Sequence, residues 1–356
     1  MNITKERETR LMDTLKAFGV DATLVGTIEG ATVTMYEVKL GTGVKVSKLK
    51  NLVSDLELNL PAEHVRIVPI PSKLAVGIEV PNVERKIVTF KELSAENNDY
   101  KIPFYLGKNI LNENICIDIS KTPHLLIAGA TGSGKSVCIN NLISSIITKC
   151  NPKDVKLVLV DPKMVELSAY NKVPHLIGNV ITDCKETIQM LDGLINEMNR
   201  RYIKLKNIGA RNIEGYNKNT LSKLPYIVLI FDEFADFMAS NAKELEPRIS
   251  KLTAMARAVG IHLVLATQRP SADVITGVIK ANIPSRISFQ VSSSVNSRII
   301  LDESGAEKLI GMGDMLLSLS TKQGIERIQG AYLSDEEVES LVNESIKNYF
   351  TLKKSS

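Results

Sequence analysis

Eight residues constrain this chain more than any others: Gly129-Ala130-Thr131-Gly132-Ser133-Gly134-Lys135-Ser136 match the pattern G-x-x-x-x-G-K-[ST]. They lie between an apolar strand candidate, Leu125-Leu126-Ile127-Ala128, and a segment whose apolar residues Ile139, Leu142, Ile143 and Ile146 recur at helical spacing. Glycines let backbone N–H groups turn inward around phosphate oxygens, and the helix that follows presents the positive end of its dipole to the same anion. A strand, a glycine-rich loop and a helix in that order demand an α/β fold. Within the loop, Lys135 is placed to meet the β- and γ-phosphates of ATP and Ser136 to ligate Mg²⁺.

A second segment complements the first. Five apolar residues, Ile227-Val228-Leu229-Ile230-Phe231, deliver Asp232 and Glu233 to the carboxyl end of a buried strand, where open α/β sheets carry their ligands. Asp232 is expected to hold Mg²⁺ through water, and Glu233 to orient and polarise the attacking water. Another strand candidate ends in Ala266-Thr267-Gln268-Arg269-Pro270, so Gln268, assisted by Thr267, is the candidate sensor of the γ-phosphate. Asp161-Pro162-Lys163 closes a strand in the same manner. Guanine specificity is unsupported, because neither Asn171-Lys172 nor Asn217-Lys218 continues as Asn-Lys-x-Asp. The series of strands and the Glu after Asp232 favour a hydrolytic ATPase of the RecA-like type.

The expected fold is therefore α/β, a RecA-like phosphate-loop ATPase core with a mainly parallel sheet, preceded by a small α+β domain. Residues 1–92 form that small domain, with an amphipathic helix around Leu11, Leu15 and Phe18. Strands are expected at 33–38, 65–70 and 74–80, and one helix from Val46 to Leu60. The polar stretch ELSAENNDY places a linker at 93–100. The motor domain occupies 101–333, with strands at 125–128, 156–160, 226–231, 261–266, 286–291 and 315–319. A capping box, Ser334-Asp335-Glu336-Glu337, starts a C-terminal helix and tail at 334–356.

Composition excludes several classes. No uncharged apolar stretch approaches the roughly 20 residues that a membrane span needs, so membrane insertion by this chain is not expected and a cytoplasmic setting is. The four cysteines form no CxxC and do not pair with the four histidines at metal-ligand spacing, so reduced thiols are the default. A net charge of +4 permits a polyanionic partner without demanding one.

The motifs together resemble those of the FtsK/SpoIIIE family of DNA translocases. The matching blocks are His124 to Ser136, DPKMVELSAY from Asp161 to Tyr170, IFDEFADFM from Ile230 to Met238, and the stretch from Ala256 to Leu316. In the small domain VTMYEVKL, GVKVSKLKNLVSDL and VGIEVPN are similar to the family's alpha subdomain. Asn296-Ser297-Arg298 stands where Asp-Ser-Arg is usual, and Leu191-Asp192-Gly193 lacks an aromatic residue often found there. The resemblance implies a homo-hexameric ring that threads double-stranded DNA, with ATP held between subunits and chromosome partition among its roles. It also implies a trans arginine finger, matched by Arg286, and DNA-facing basic residues, for which Arg298, Lys322 and Arg327 are the candidates. A family membrane anchor and gamma winged helix are not matched in this sequence, so a sequence-independent grip on DNA is expected. A coupling ATPase of a secretion or conjugation system is the alternative, since such proteins share the core blocks.

Overall fold

The computed structural model describes residues 3–96 and 99–354. Met1, Asn2, Asn97 and Asn98 of the expected linker, and Ser355 and Ser356 of the expected tail lie outside the described residues. Two sheets organise the chain, each over its own core. The first unit contains helix α1 (Ile3–Ala17), strands β1 (Ala22–Glu29) and β2 (Val33–Leu40), helices α2 (Val46–Asn51) and α3 (Val53–Asn59), and strands β3 (Arg66–Ile70) and β4 (Ala75–Pro81). Its strands pair antiparallel in the order β1-β2-β4-β3.

Leu11 and Leu15 from α1, Leu49 and Leu56 from the short helices, and Tyr36, Val38, Ile78 and Val80 from the sheet form one buried cluster. Full burial stabilises each such aliphatic side chain by about 1.5–3 kcal/mol. The single helix expected over 46–60 is two, because Leu52 leaves helical geometry at φ −93°, ψ 8°. Phe18 is exposed and stands outside the core. Strand β1 was not anticipated: it is an edge strand with a bulge between Leu24 and Gly26, and its threonines and glycine dilute the apolar alternation.

The second unit begins with α4 (Phe90–Ser94), β5 (Pro103–Asn109), β6 (Asn114–Asp118), β7 (His124–Ala128), α5 (Lys135–Lys149) and β8 (Val155–Val160). It continues through α6 (Cys184–Asn207), α7 (Ile213–Lys218), β9 (Tyr226–Phe231), α8 (Phe234–Met255), β10 (Ile261–Thr267) and α9 (Gly277–Asn282). It ends with β11 (Ser285–Phe289), α10 (Ser294–Leu301), β12 (Asp314–Ser318), β13 (Ile325–Gly330) and α11 (Asp335–Lys354). The sheet order is β6-β5-β13-β12-β11-β7-β10-β9-β8. Strands β11, β7, β10, β9 and β8 pair parallel, and β12, β13, β5 and β6 extend the sheet antiparallel.

The parallel strands are covered on both faces, hence their unbroken apolar runs. All six strands expected in this unit are present. Strands β5, β6 and β13 were not read from the sequence, since Pro103, Gly107, Glu326 and Arg327 interrupt their apolar pattern. The boundary also lies earlier than the polar linker suggests. Val88, Phe90 and Leu93 are buried in the core of the second unit, so α4 belongs to it. At the other end the capping box closes reciprocally: Ser334 Oγ accepts from Glu337 N at 3.3 Å and Glu337 Oε2 from Ser334 N at 2.9 Å. Among the described residues no helix is long and apolar enough to cross a membrane.

A buried charge cluster joins the two units. Arg327 of β13 donates to both oxygens of Asp314 at 2.9 and 2.6 Å and to Glu79 of β4 at 2.7 Å; Arg66 of β3 meets Glu79 at 3.2 Å. Burial works to raise the Glu79 carboxyl, but Arg66 and Arg327 outweigh it and hold it below its ordinary range. Arg327 is thus corrected as a DNA contact. Its side chain is 2% exposed and saturated by two carboxylates.

Candidate nucleotide site

Strand β7 lies between β11 and β10 among the five parallel strands, and the loop that follows it opens at the carboxyl edge of the sheet. Gly134 sits at φ 112°, and a Cβ there would meet Gly313 N at 2.6 Å, so glycine alone fits. The loop is braced from below by two backbone contacts: Ala130 N donates to Gln290 O at 2.8 Å and Gly313 N to Ser133 O at 2.9 Å. The N-terminus of α5, fifteen residues long, then points into the loop. Ser133 Oγ is buried and has no hydrogen-bond partner among the described residues. A glycine cradle over a helix N-terminus with an orphaned hydroxyl fits a bound phosphate chain.

Lys135 is buried and forms an ion pair with Asp232, the residue that follows β9. Its ammonium and the Asp232 carboxylate therefore meet at one spot. Ser136 Oγ donates to Glu166 Oε1 at 3.0 Å. The donor set of Ser136 hydroxyl and Asp232 carboxylate is all oxygen, which suits Mg²⁺, a cation bound through one or two carboxylates together with substrate phosphates.

Glu233 adopts left-handed geometry at φ 52°, ψ 52° just ahead of α8. For a residue with a Cβ this costs on the order of 1 kcal/mol or more and is held by its surroundings. Those surroundings come from the end of β10: Glu233 Oε1 accepts from Thr267 Oγ1 at 2.7 Å and Oε2 from Gln268 N at 2.9 Å. The Gln268 side chain faces the phosphate loop, where its Oε1 accepts from Thr131 Oγ1 at 2.7 Å. Phosphate loop, sensor candidate and acidic residue thus form one bonded series. Lys163 reaches toward it from the exposed side, its Nζ 3.9 Å from both Glu233 and Asp236. Burial pushes the Cys138 thiol, one turn into α5, up to about 12 against the pull of Lys135, which leaves it protonated and inert.

The remaining candidates lie elsewhere. Arg286 pairs in register with Leu126, two residues short of the strand end that carries the loop. Its guanidinium donates to the carbonyls of Ile283, Ile300 and Lys280 at 3.0–3.2 Å and forms an ion pair with Asp302, so it closes the ends of α9 and α10 within its own chain. Arg298 is exposed on α10, and Lys322 is exposed with Glu326 at 2.8 Å. Sequence reasoning missed Glu166, Gln290 and Gly313. Two of them act through backbone atoms, which leave no side-chain signature.

Two family models match the chain: the FtsK/SpoIIIE family over residues 89–272 and the FtsK alpha domain over residues 2–82. The chain is 54% identical over 344 residues to the DNA translocase FtsK of Borreliella burgdorferi, covering 94% of this chain and 44% of that protein. It is 51% identical over 356 residues to the DNA translocase SpoIIIE of Bacillus subtilis, covering 96% of this chain and 45% of that protein. It therefore spans less than half the length of the curated relatives it matches. Among solved structures, the monomer of the conjugation coupling protein TcpA of pCW3 with ATPγS is similar at a TM-score of 0.69 and 26% identity, covering 97% of this chain and 99% of that one.

Proposed function

This chain belongs to the FtsK/SpoIIIE family, and from that premise we propose that it is the motor of an ATP-driven translocase of double-stranded DNA. The observation that carries the reading is the bonded series from Thr131 through Gln268 to Glu233, beside the Lys135–Asp232 pair. The loop N–H groups and the α5 N-terminus bind the phosphates of ATP. Lys135 exchanges Asp232 for a phosphate oxygen, and Ser136 with Asp232 would hold Mg²⁺. The chemistry such a cation would supply there is neutralisation of phosphate charge. Glu233, already buried and oriented by Thr267, positions water for attack on the γ-phosphate, while Gln268 reports at the loop whether that phosphate is present.

Ring assembly is part of the proposal. A homo-hexamer would bring a neighbour's Arg286 to each site, where a trans arginine is worth about 10³–10⁵ in rate; Arg286 must then release Asp302. Arg298 and Lys322 are proposed to touch DNA phosphates, contacts that position a protein without specifying sequence. Binding is accordingly salt-sensitive and indifferent to sequence. The proposed setting is the cytoplasm, with chromosome partition as the process served.

The test is ATP turnover by the purified chain with and without duplex DNA. Lys135→Ala should lose nucleotide binding. Glu233→Gln should bind ATP yet turn over about 10²–10⁴-fold more slowly, and wild-type turnover by that variant would remove Glu233 from its assigned role. The similarity to a conjugation coupling protein favours one alternative, a coupling ATPase. Stimulation by a partner polypeptide, with none by naked duplex DNA, would select it.

A further inference from the structure

The segment between β8 and α6 folds back onto the phosphate-loop helix, and one buried carboxylate shapes it. Asp161 is fully buried; its Oδ2 accepts from the backbone N of Glu166 and of Leu167 at 3.0 Å each, and its Oδ1 from Lys163 N at 3.0 Å. Leu167 and Tyr170 are fully buried, and the Tyr170 hydroxyl donates to Asn140 Oδ1 of α5 at 3.0 Å. The segment is thereby clamped along α5, with the half-buried Glu166 brought to the first turn. There its Oε1 accepts the proton of Ser136 Oγ at 3.0 Å. Among the described residues no Lys or Arg stands within ion-pair distance of Glu166, so this carboxylate is not spent on a salt bridge.

The chemistry of a hydroxyl ligand gives that contact its meaning. Serine binds a cation through an oxygen lone pair, which requires its proton to point elsewhere, toward an acceptor. Acceptors that fix the proton of a metal ligand are known to matter about 10–100-fold in metal affinity. We propose that Glu166 is a positioning residue for the divalent cation, holding the Ser136 proton so that the oxygen lone pairs are free for the metal. This rests on the phosphate-loop reading above, and it adds a residue to the site that neither strand-end motif supplies. Asp161 acts one step further out, by holding the backbone that carries Glu166.

The test is a Mg²⁺ titration of the full chain, read as binding of a fluorescent, non-hydrolysable ATP analogue. Glu166→Ala should raise the Mg²⁺ midpoint about 10-fold or more while leaving analogue binding in EDTA unchanged, and Glu166→Gln, which retains an acceptor oxygen, should recover part of the loss. In a Ser136→Ala background, Glu166→Ala should add nothing further, since the proton it holds is gone. A midpoint within about twofold of wild type would overturn the proposal, as would equal loss of binding in EDTA or additive effects in the double variant. Tyr170→Phe, which loosens the clamp at its far end, separates a folding defect from the assigned role: matching its profile to Glu166→Ala would also overturn the proposal. Failure of the wild-type chain to bind the analogue at all would instead overturn the nucleotide reading itself, and this inference with it.

Discussion

Two buried ion-pair clusters lie on either side of the Gly311–Asp314 turn, and they are built to opposite ends. At the junction of the units, Arg327 is bidentate to Asp314 and also reaches Glu79, which Arg66 meets from its other side. At the phosphate loop, among the described residues, Lys135 has Asp232 as its one ion-pair partner, and close by Ser133 Oγ has no hydrogen-bond partner. The first cluster is closed: every charge has its counterpart. The second keeps hydrogen-bonding capacity in reserve. Burying charge costs several kcal/mol per ion unless it is well paired, so an incompletely satisfied cluster is maintained where a ligand will complete it.

Breaking the closed cluster should produce the largest effect. Arg327→Met leaves Asp314 and Glu79 facing each other without their shared cation and should destabilise the chain by about 3–5 kcal/mol. Denaturant unfolding measures this directly. Lys135→Ala leaves only one carboxylate alone, so its stability loss should be clearly smaller although nucleotide binding disappears. Equal losses would break the comparison.

An intermediate effect comes from two buried histidines between β7 and β10. His262 Nδ1 lies 2.9 Å from the Pro123 carbonyl, and His124 Nδ1 accepts from Leu263 N at 3.1 Å. Burial foremost drives His124 down to about 3 and His262 down to about 4. Both are neutral in the folded chain and ordinary, near 6.5, once unfolded. Their contribution is complete above pH 6.5 and is lost as pH falls toward 4 and then 3. Each can remove up to about 1.4 kcal/mol per pH unit below 6.5. Melting temperature at pH 7 and pH 5 should therefore differ markedly, and a His262→Asn variant should flatten the slope; an unchanged slope would count against a buried neutral histidine there.

The smallest effect sharpens the contrast from outside. Lys322 is 62% exposed beside Glu326, and Lys322→Ala should change stability by no more than about 0.5 kcal/mol. If Lys322 touches DNA phosphate, the same variant should lower the salt dependence of DNA binding by about one unit of slope per contact. A salt titration with unchanged slope would remove Lys322 from the DNA-facing set.

The contrast also explains what was legible beforehand. The phosphate loop, Asp232, Glu233 and Gln268 could be read because each sits where an apolar strand stops, and a strand buried on both faces announces itself by its unbroken apolar run. Arg327 was misread for the complementary reason. Strand β13 has a charged, half-exposed pattern, and nothing local distinguishes an arginine facing solvent from one facing two distant carboxylates. Glu166 lies on a segment without periodicity, aimed by Asp161 through backbone bonds. Long-range pairing partners such as Glu79 and Arg327, far apart in the chain, leave no trace in either neighbourhood.

The Gly311–Asp314 turn carries one more consequence, for mechanical load. Its Gly313 amide bonds the Ser133 carbonyl of the phosphate loop, and the Asp314 next to it grips Arg327 and, through it, the small N-terminal unit. Three contacts therefore separate the phosphate loop from a unit whose own core lies in another sheet. Linkage makes such a path symmetrical. To the extent that phosphate arrival shifts the turn and tilts the small unit, a force or tether on that unit must alter nucleotide affinity by the same factor. If the chain works as the proposed motor, resistance on the small unit would then be felt at the phosphate loop itself.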